Sequence, residues 1–191
     1  MRQAPDASVA STGPVDAVAA AFDRHAAAVY RYCARRVGPD VAEDLVGEVF
    51  LVAQRRRDRL GATDEALPWL YGIATNLLRR HRRDEVRAYR ALAATGVDPL
   101  GGAQGIAEGH EGRTAERADA ESSVRRIAGA LASLPRRQRD VLLLYAIGEL
   151  SYAEIAAALA MPIGSVQSAL HRARTRLRDA LRQSDTTEAT S

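Results

Sequence analysis

The chain has 191 residues, room for one large or two small domains, and its 27 basic and 24 acidic side chains leave a net +3 that selects no partner by itself. The single cysteine, Cys33, excludes an internal disulfide and any multi-cysteine metal site. No apolar stretch approaches the ~20 residues of a membrane span, and Asp6 and Asp16 interrupt the region where a secretory leader would lie, so a soluble, cytoplasmic protein is expected.

Residues 1–15 are rich in Ala, Ser and Pro without periodicity and read as a disordered tail. A first helical domain is expected over 16–92. Phe22, Ala26, Val29, Cys33 and Val37 make one face of its first helix, flanked by Tyr30, until Gly38-Pro39 stops it. Cys33 lies on that stripe and is expected to be buried. Asp40 and Glu43 have the spacing of a capping box for the next helix. Leu45, Val49 and Val52 turn inward there, with Val46, Phe50 and Ala53 beside them. Helix-dipole compensation accounts for Asp40 and Glu43. Asp44 and Glu48, one turn apart, are left as an acidic face. Gly47 between them costs ~1 kcal/mol relative to Ala, which suits a close-approach contact surface.

Pro68 fits a first helical residue, and one helix is expected from there to Leu92 with Leu70, Ile73, Ala74 and Leu77 inward. Trp69, Asn76, Arg79, Arg80 and Arg83 project from its other sides. An amide and a basic run on one helix suit unpaired DNA, whose bases stack and whose phosphates need partners; Trp69 taken alone suits the core. All basic side chains in the chain are Arg, none Lys, as a GC-rich genome would also produce. Their clustering is more telling: Arg79, Arg80, Arg82, Arg83, Arg87 and Arg90 form one group, Arg172, Arg174, Arg176, Arg178 and Arg182 another, and phosphate contacts need localised charge.

Residues 93–121, with Gly96, Pro99, Gly101, Gly102, Gly105, Gly109 and Gly112, have linker composition. A second domain is expected over 122–182. Ile127, Leu131 and Leu134 mark a helix ended before Pro135, and Val141, Leu142, Leu144 and Tyr145 another ended by Gly148. Ser151 and Glu154 then form a capping box, and Ile155, Ala156 and Leu159 supply the apolar face of a short helix. Met161-Pro162-Ile163-Gly164 breaks it. Ser165 is placed to cap a last helix whose Val166, Leu170, Ala173 and Leu177 share a stripe, leaving Gln167, Ser168, His171, Arg172 and Arg176 outward. A short helix, a brief turn and a basic helix describe a DNA-binding helix-turn-helix. Residues 183–191 read as a fraying, disordered tail. The expected fold is all-α: two small helical domains joined by a flexible linker, the second a helix-turn-helix four-helix domain.

No nucleophile–base pair, phosphate-binding glycine loop or metal-ligand spacing occurs, and His25, His81, His110 and His171 are scattered, so neither an enzyme nor a cofactor is expected. A helix-turn-helix alone is compatible with a stand-alone regulator of duplex DNA. Such a regulator needs neither the acidic helix nor the Trp69–Arg83 helix.

Three segments together resemble RNA polymerase sigma factors of the extracytoplasmic-function type over most of 18–181. AEDLVGEVFLVAQRR is similar to the helix that grips core polymerase, and PWLYGIATNLLRRHRR to the element that melts and reads the minus-ten region. LASLPRRQRDVLLLYAIGELSYAEIAAALAMPIGSVQSALHRARTRL resembles the domain that binds the minus-thirty-five element. The resemblance assigns Asp44, Glu48 and Phe50 to core polymerase. It places Trp69, Asn76, Arg79, Arg80 and Arg83 at minus-ten DNA, and Ser165, Gln167, Ser168, His171, Arg172 and Arg176 at minus-thirty-five DNA. It implies core RNA polymerase, promoter DNA and an anti-sigma factor as partners. The family usually has Gln at Gly47, and GTV, a basic residue and SR where Gly164 to Ala169 stand. Gln167 and Ala169 thus remove two charges from the start of the reading helix, and a shifted promoter preference is expected.

Overall fold

The computed structural model describes residues 14–60, 66–95 and 114–188. Helices α1 (Pro14–Val37), α2 (Pro39–Arg55), α3 (Ala66–Leu78) and α4 (Arg82–Thr95) form a first unit, and α5 (Thr114–Ser133), α6 (Arg136–Ala146), α7 (Tyr152–Ala158) and α8 (Ile163–Glu188) a second. No strand occurs among the described residues. The expected all-α fold of two helical domains, the second with four helices, is the one observed. The linker expectation falls mostly on 96–113, outside the described residues; α4 and α5 enter its two ends.

Each unit is held by apolar stripes. Val29, Tyr32 and Cys33 of α1 meet Ala42, Leu45, Val49 and Ala53 of α2 and Leu70, Ala74 and Leu78 of α3 in one buried set. Phe22 is half exposed, its ring edge-on to Phe50 with centroids 4.8 Å apart. Tyr32, rather than Tyr30, is the fully buried tyrosine of α1. In the second unit Leu134, Val141, Leu144, Ile155, Val166, Leu170 and Ala173 are buried.

The helix ends show where local signals hold. Gly38 adopts φ 92, a conformation open to glycine at little cost, and receives the end of α1 through its N–H to the Ala34 carbonyl (3.0 Å). It also precedes α2, with Pro39 in the first turn. No side chain caps α2, so the Asp40–Glu43 capping box does not form: Gly38-Pro39 already sets the turn, and both carboxylates lie inside the helix. The Ser151–Glu154 box is present, with Ser151 N–H donating to Glu154 at 2.7 Å and Glu154 N–H donating back to Ser151 Oγ at 3.3 Å.

The long helix expected from Pro68 is two helices. It begins at Ala66 and is interrupted by a turn at 79–81, where the Arg80 and His81 amides bond back only three residues. Arg79, Arg80, Arg82 and Arg83 would repel one another across successive helical turns. The break also redirects the chain so that Glu85 and Tyr89 point inward. Ser165 is not a cap either: α8 starts at Ile163, and the Ser165 amide donates to Pro162 O at 2.9 Å. The tail expected from 183 continues α8 to Glu188.

Between α7 and α8 the axis turns by 107°, within the range of a helix-turn-helix. Ala160 takes φ 50 there, while Met161 N–H reaches Ala156 O (2.9 Å) and Ala160 N–H reaches Ala157 O (3.2 Å). Those two bonds are a Schellman motif with Ala in the position that favours Gly.

The two units are in contact. α4 packs along α5 and α3 packs against α7. At their junction lies a buried four-charge cluster. Arg36 of α1 donates through Nε to Glu85 Oε1 of α4, through Nη1 to Tyr32 OH and through Nη2 to Asp140 Oδ1 of α6, each at 2.7 Å. Tyr32 OH is 2.9 Å from Thr75 Oγ1. Arg139 Nε stands 3.3 Å from Glu85 Oε2 as an ion pair without hydrogen-bond alignment, while its Nη1 donates to the carbonyls of Leu131 and Leu134 at the end of α5. Two cations thus face two anions inside the protein.

Candidate nucleic-acid interface

The residues that the resemblance assigns to minus-thirty-five DNA lie on α8. The stripe Val166, Leu170, Ala173 fixes the helix rotation. That rotation exposes Gln167, Ser168, His171, Arg172 and Arg176, with Ser165 at intermediate depth. All six are on the helix that follows the turn, where a helix-turn-helix meets base edges. Ala169 is corrected: at 1 % exposure it packs into the core three residues after Val166. Its departure from the family run alters packing, and only Gln167 alters the outward chemistry. Arg174 stacks its guanidinium over the Tyr145 ring at 4.7 Å, which ties α8 to α6.

In the first unit the turn at 79–81 and helix α4 build an open groove of about 700 Å³ lined by Arg79, Arg80, Arg82, Arg83, Val86, Arg87 and Arg90. Such a channel of guanidinium groups suits a nucleic-acid backbone. Arg82, Arg87 and Arg90 join the three arginines assigned to it from the resemblance. Their signal was in the sequence: Arg83, Arg87 and Arg90 recur every three or four residues along α4, and Arg82 belongs to the same basic run. Asn76 is exposed and Trp69 half buried against the core; neither lines the groove.

On α2, Asp44 is exposed, and Glu48 forms an ion pair with Arg80. The acidic face and the arginine groove are therefore joined by one surface contact. Phe50 is 7 % exposed, so its ring supports α1 through Phe22 and is not itself on the surface. Its neighbour Leu51 is 59 % exposed, on the outside of α2. A Cβ built on Gly47 meets nothing within 4 Å, so no contact within the chain demands glycine there.

Burial pushes the Cys33 thiol up from 9.0 to about 12, which leaves it unreactive at neutral pH. Burial likewise raises Tyr32 from 10.0 to about 12, against the lowering influence of Arg36. Burial alone would pull Arg36 down, and Tyr32, Glu85 and Asp140 around it more than reverse that. Among the described residues no group of three or more His, Cys, Asp or Glu side chains is arranged to hold a metal ion. No single described helix is long and apolar enough to cross a membrane.

Residues 21–88 match the Sigma-70 region 2 family model and residues 125–177 the Sigma-70, region 4 model. The chain is 33 % identical over 173 residues to the ECF RNA polymerase sigma factor SigW of Bacillus subtilis, covering 89 % of this chain and 91 % of that one. Among solved structures it is similar in fold to the sigma factor RpoE in complex with the anti-sigma factor NepR from Bartonella quintana. That match has TM-score 0.54 and 22 % identity over 84 % of this chain and 94 % of the other. It is also similar to CnrH in complex with the cytosolic domain of CnrY, with TM-score 0.56 and 23 % identity over 89 % and 95 %.

Proposed function

Since the chain belongs to the ECF RNA polymerase sigma factors, which bind core polymerase and direct promoter recognition in transcription initiation, we propose how its own surfaces divide that work. Residues 16–92 act as the unit that docks on core polymerase and handles the minus-ten strand. Residues 122–182 act as the unit that anchors the minus-thirty-five duplex. The observation that carries this reading is the pairing of an arginine-lined groove on α4 with an exposed polar and basic face on α8.

Asn76 meets an unstacked minus-ten base beside Trp69, and Arg79, Arg80 and Arg83 hold the adjacent phosphates. Arg172 and Arg176 position α8 on the minus-thirty-five duplex, with Ser165, Ser168 and His171 around them. Gln167 reads a base edge there, and its amide pairs best with adenine. Asp44, Glu48 and the exposed Leu51 form the core-polymerase face, with Phe50 behind them. The protein works in the cytoplasm without a cofactor or a catalytic step of its own. An anti-sigma factor is a further partner, supported by the two solved neighbours, each captured with a second protein.

Transcription in vitro with core polymerase on a genomic promoter library tests the assignment. Transcripts above the core-only background are expected, and Arg172→Ala should remove those that depend on the minus-thirty-five element while sparing core binding. Asp44→Arg should weaken core binding, whereas Glu48 is a poorer probe because its loss also frees Arg80. Equal core affinity for Asp44→Arg and the parent would refute the acidic-face assignment.

A further inference from the structure

We propose that Ile163 is a base-reading residue, its side chain packing on the 5-methyl group of a thymine close to the adenine read by Gln167. The inference rests on the reading of α8 as the minus-thirty-five helix. It adds an apolar contact to the polar and basic ones already assigned there.

A single exposed isoleucine is ordinary on a protein surface. What sets Ile163 apart is its place. It is 49 % exposed, and among the described residues it is the one large apolar side chain of α8 that stands open to solvent. It belongs neither to the buried core nor to the partly buried side chains packed against that core. It is the first residue of α8, at the end of a reading helix that meets base edges. Gln167 follows four residues later, also exposed, so the two share one side of the helix a turn apart. Gly164 beside it is bare: a Cβ built there meets nothing within 4 Å in its own chain. The tip of α8 is therefore slim, with an isoleucine standing clear of it.

The charge pattern says which bases such a tip can read. Residues 163–170 carry no charged side chain, and the first arginine of α8 is Arg172. Guanine is read chiefly by forked Arg or Lys contacts, whereas an amide suits adenine and an apolar side chain suits the thymine methyl. Four helical residues span about 6 Å, or one to two base-pair steps of ~3.4 Å. Ile163 and Gln167 together thus call for neighbouring A·T pairs at that end of the element. The β-branch of isoleucine leaves one strongly preferred χ1 in a helix, so the contact orders little that is not ordered already.

The test uses holoenzyme assembled from core polymerase and the full-length chain, with the minus-thirty-five region of a promoter randomised and selected for binding. Each selected thymine is then replaced by deoxyuracil, which lacks only the 5-methyl group. In the parent one replacement should weaken binding about fourfold, the worth of one buried methyl. It should lie one or two pairs from the adenine whose preference disappears in Gln167→Ala. Ile163→Ala should weaken binding to the thymine promoter at least as much and make uracil neutral there, while Ile163→Val keeps the thymine preference. A parent indifferent to uracil at every position would overturn the contact, and that arm needs no variant to fold. Losses from uracil and Ile163→Ala that multiply would overturn it too, since groups in contact are not independent. Failure of the underlying reading has a different signature: parent, Gln167→Ala and Arg172→Ala would all select the same sequences, and the Ile163 contact would fall with it. If those two variants shift the selection and Ile163→Ala does not, the reading of α8 stands and the Ile163 contact alone is refuted.

Discussion

Two sets of ion pairs in this protein use the same residue types and do opposite things. Glu48 and Arg80 meet on the surface, each about half exposed, where water and salt screen the attraction and two long side chains must be ordered to make it. Arg36, Glu85, Asp140 and Arg139 meet where water is absent, so every charge there depends on its partner. The difference teaches that location, not pairing, decides what a charge does to this fold. The first set is an adjustable surface detail, whereas the second is all-or-none.

The largest effect that would test the contrast is Arg36→Met. It leaves Asp140 buried without its cation and Glu85 with Arg139 alone, and a loss of about 3–5 kcal/mol is expected by denaturant unfolding. Alkaline pH should come next. Both Cys33 and Tyr32 have raised folded values, so the unfolded chain ionises first; stability is fully present below pH 9 and is lost as pH rises through 9 towards about 12. Cys33→Ala should flatten the lower part of that profile in a thermal melt. The native thiol should also resist a thiol reagent at pH 7 and react on unfolding.

The local signals that were legible are those a few residues long. Gly38-Pro39 ended α1, Ser151 and Glu154 capped α7, and the apolar stripe of α8 fixed its outward face. The charge cluster was not legible because it is non-local: Arg36 and Glu85 are 49 residues apart, Arg36 and Asp140 104. A weak trace existed. Arg36 stands three residues after the buried Cys33, and Glu85 four before the buried Tyr89, so both charges interrupt inward stripes. The break at 79–81 was missed because apolar spacing runs across it, whereas repulsion among the arginines works against it. Ala169, expected with Gln167 to remove a charge from the start of α8, lies inside, as its spacing of three from Val166 and four from Ala173 requires.

Smaller effects separate surface from interior further. Gly47→Ala should stabilise α2 by about 1 kcal/mol in a thermal melt, since its added methyl meets open space within the chain. Ala160→Gly should raise the melting temperature by an amount worth less than ~1 kcal/mol, because relief of the left-handed strain is partly offset by a freer unfolded chain. Smallest of all should be Glu48→Gln, within ~1 kcal/mol of the parent and nearer to it in high salt. A loss comparable to that of Arg36→Met would erase the distinction between the two sets of charges.

The groove on α4 carries a regulatory consequence through its composition. Six guanidinium groups line it and no lysine does. Guanidinium groups keep their proton at any pH a cell reaches, and they offer no amine for acetylation. The groove's charge is therefore a constant of the molecule, deaf to acidity and to the commonest charge-erasing modification. Whatever silences this surface has to cover it.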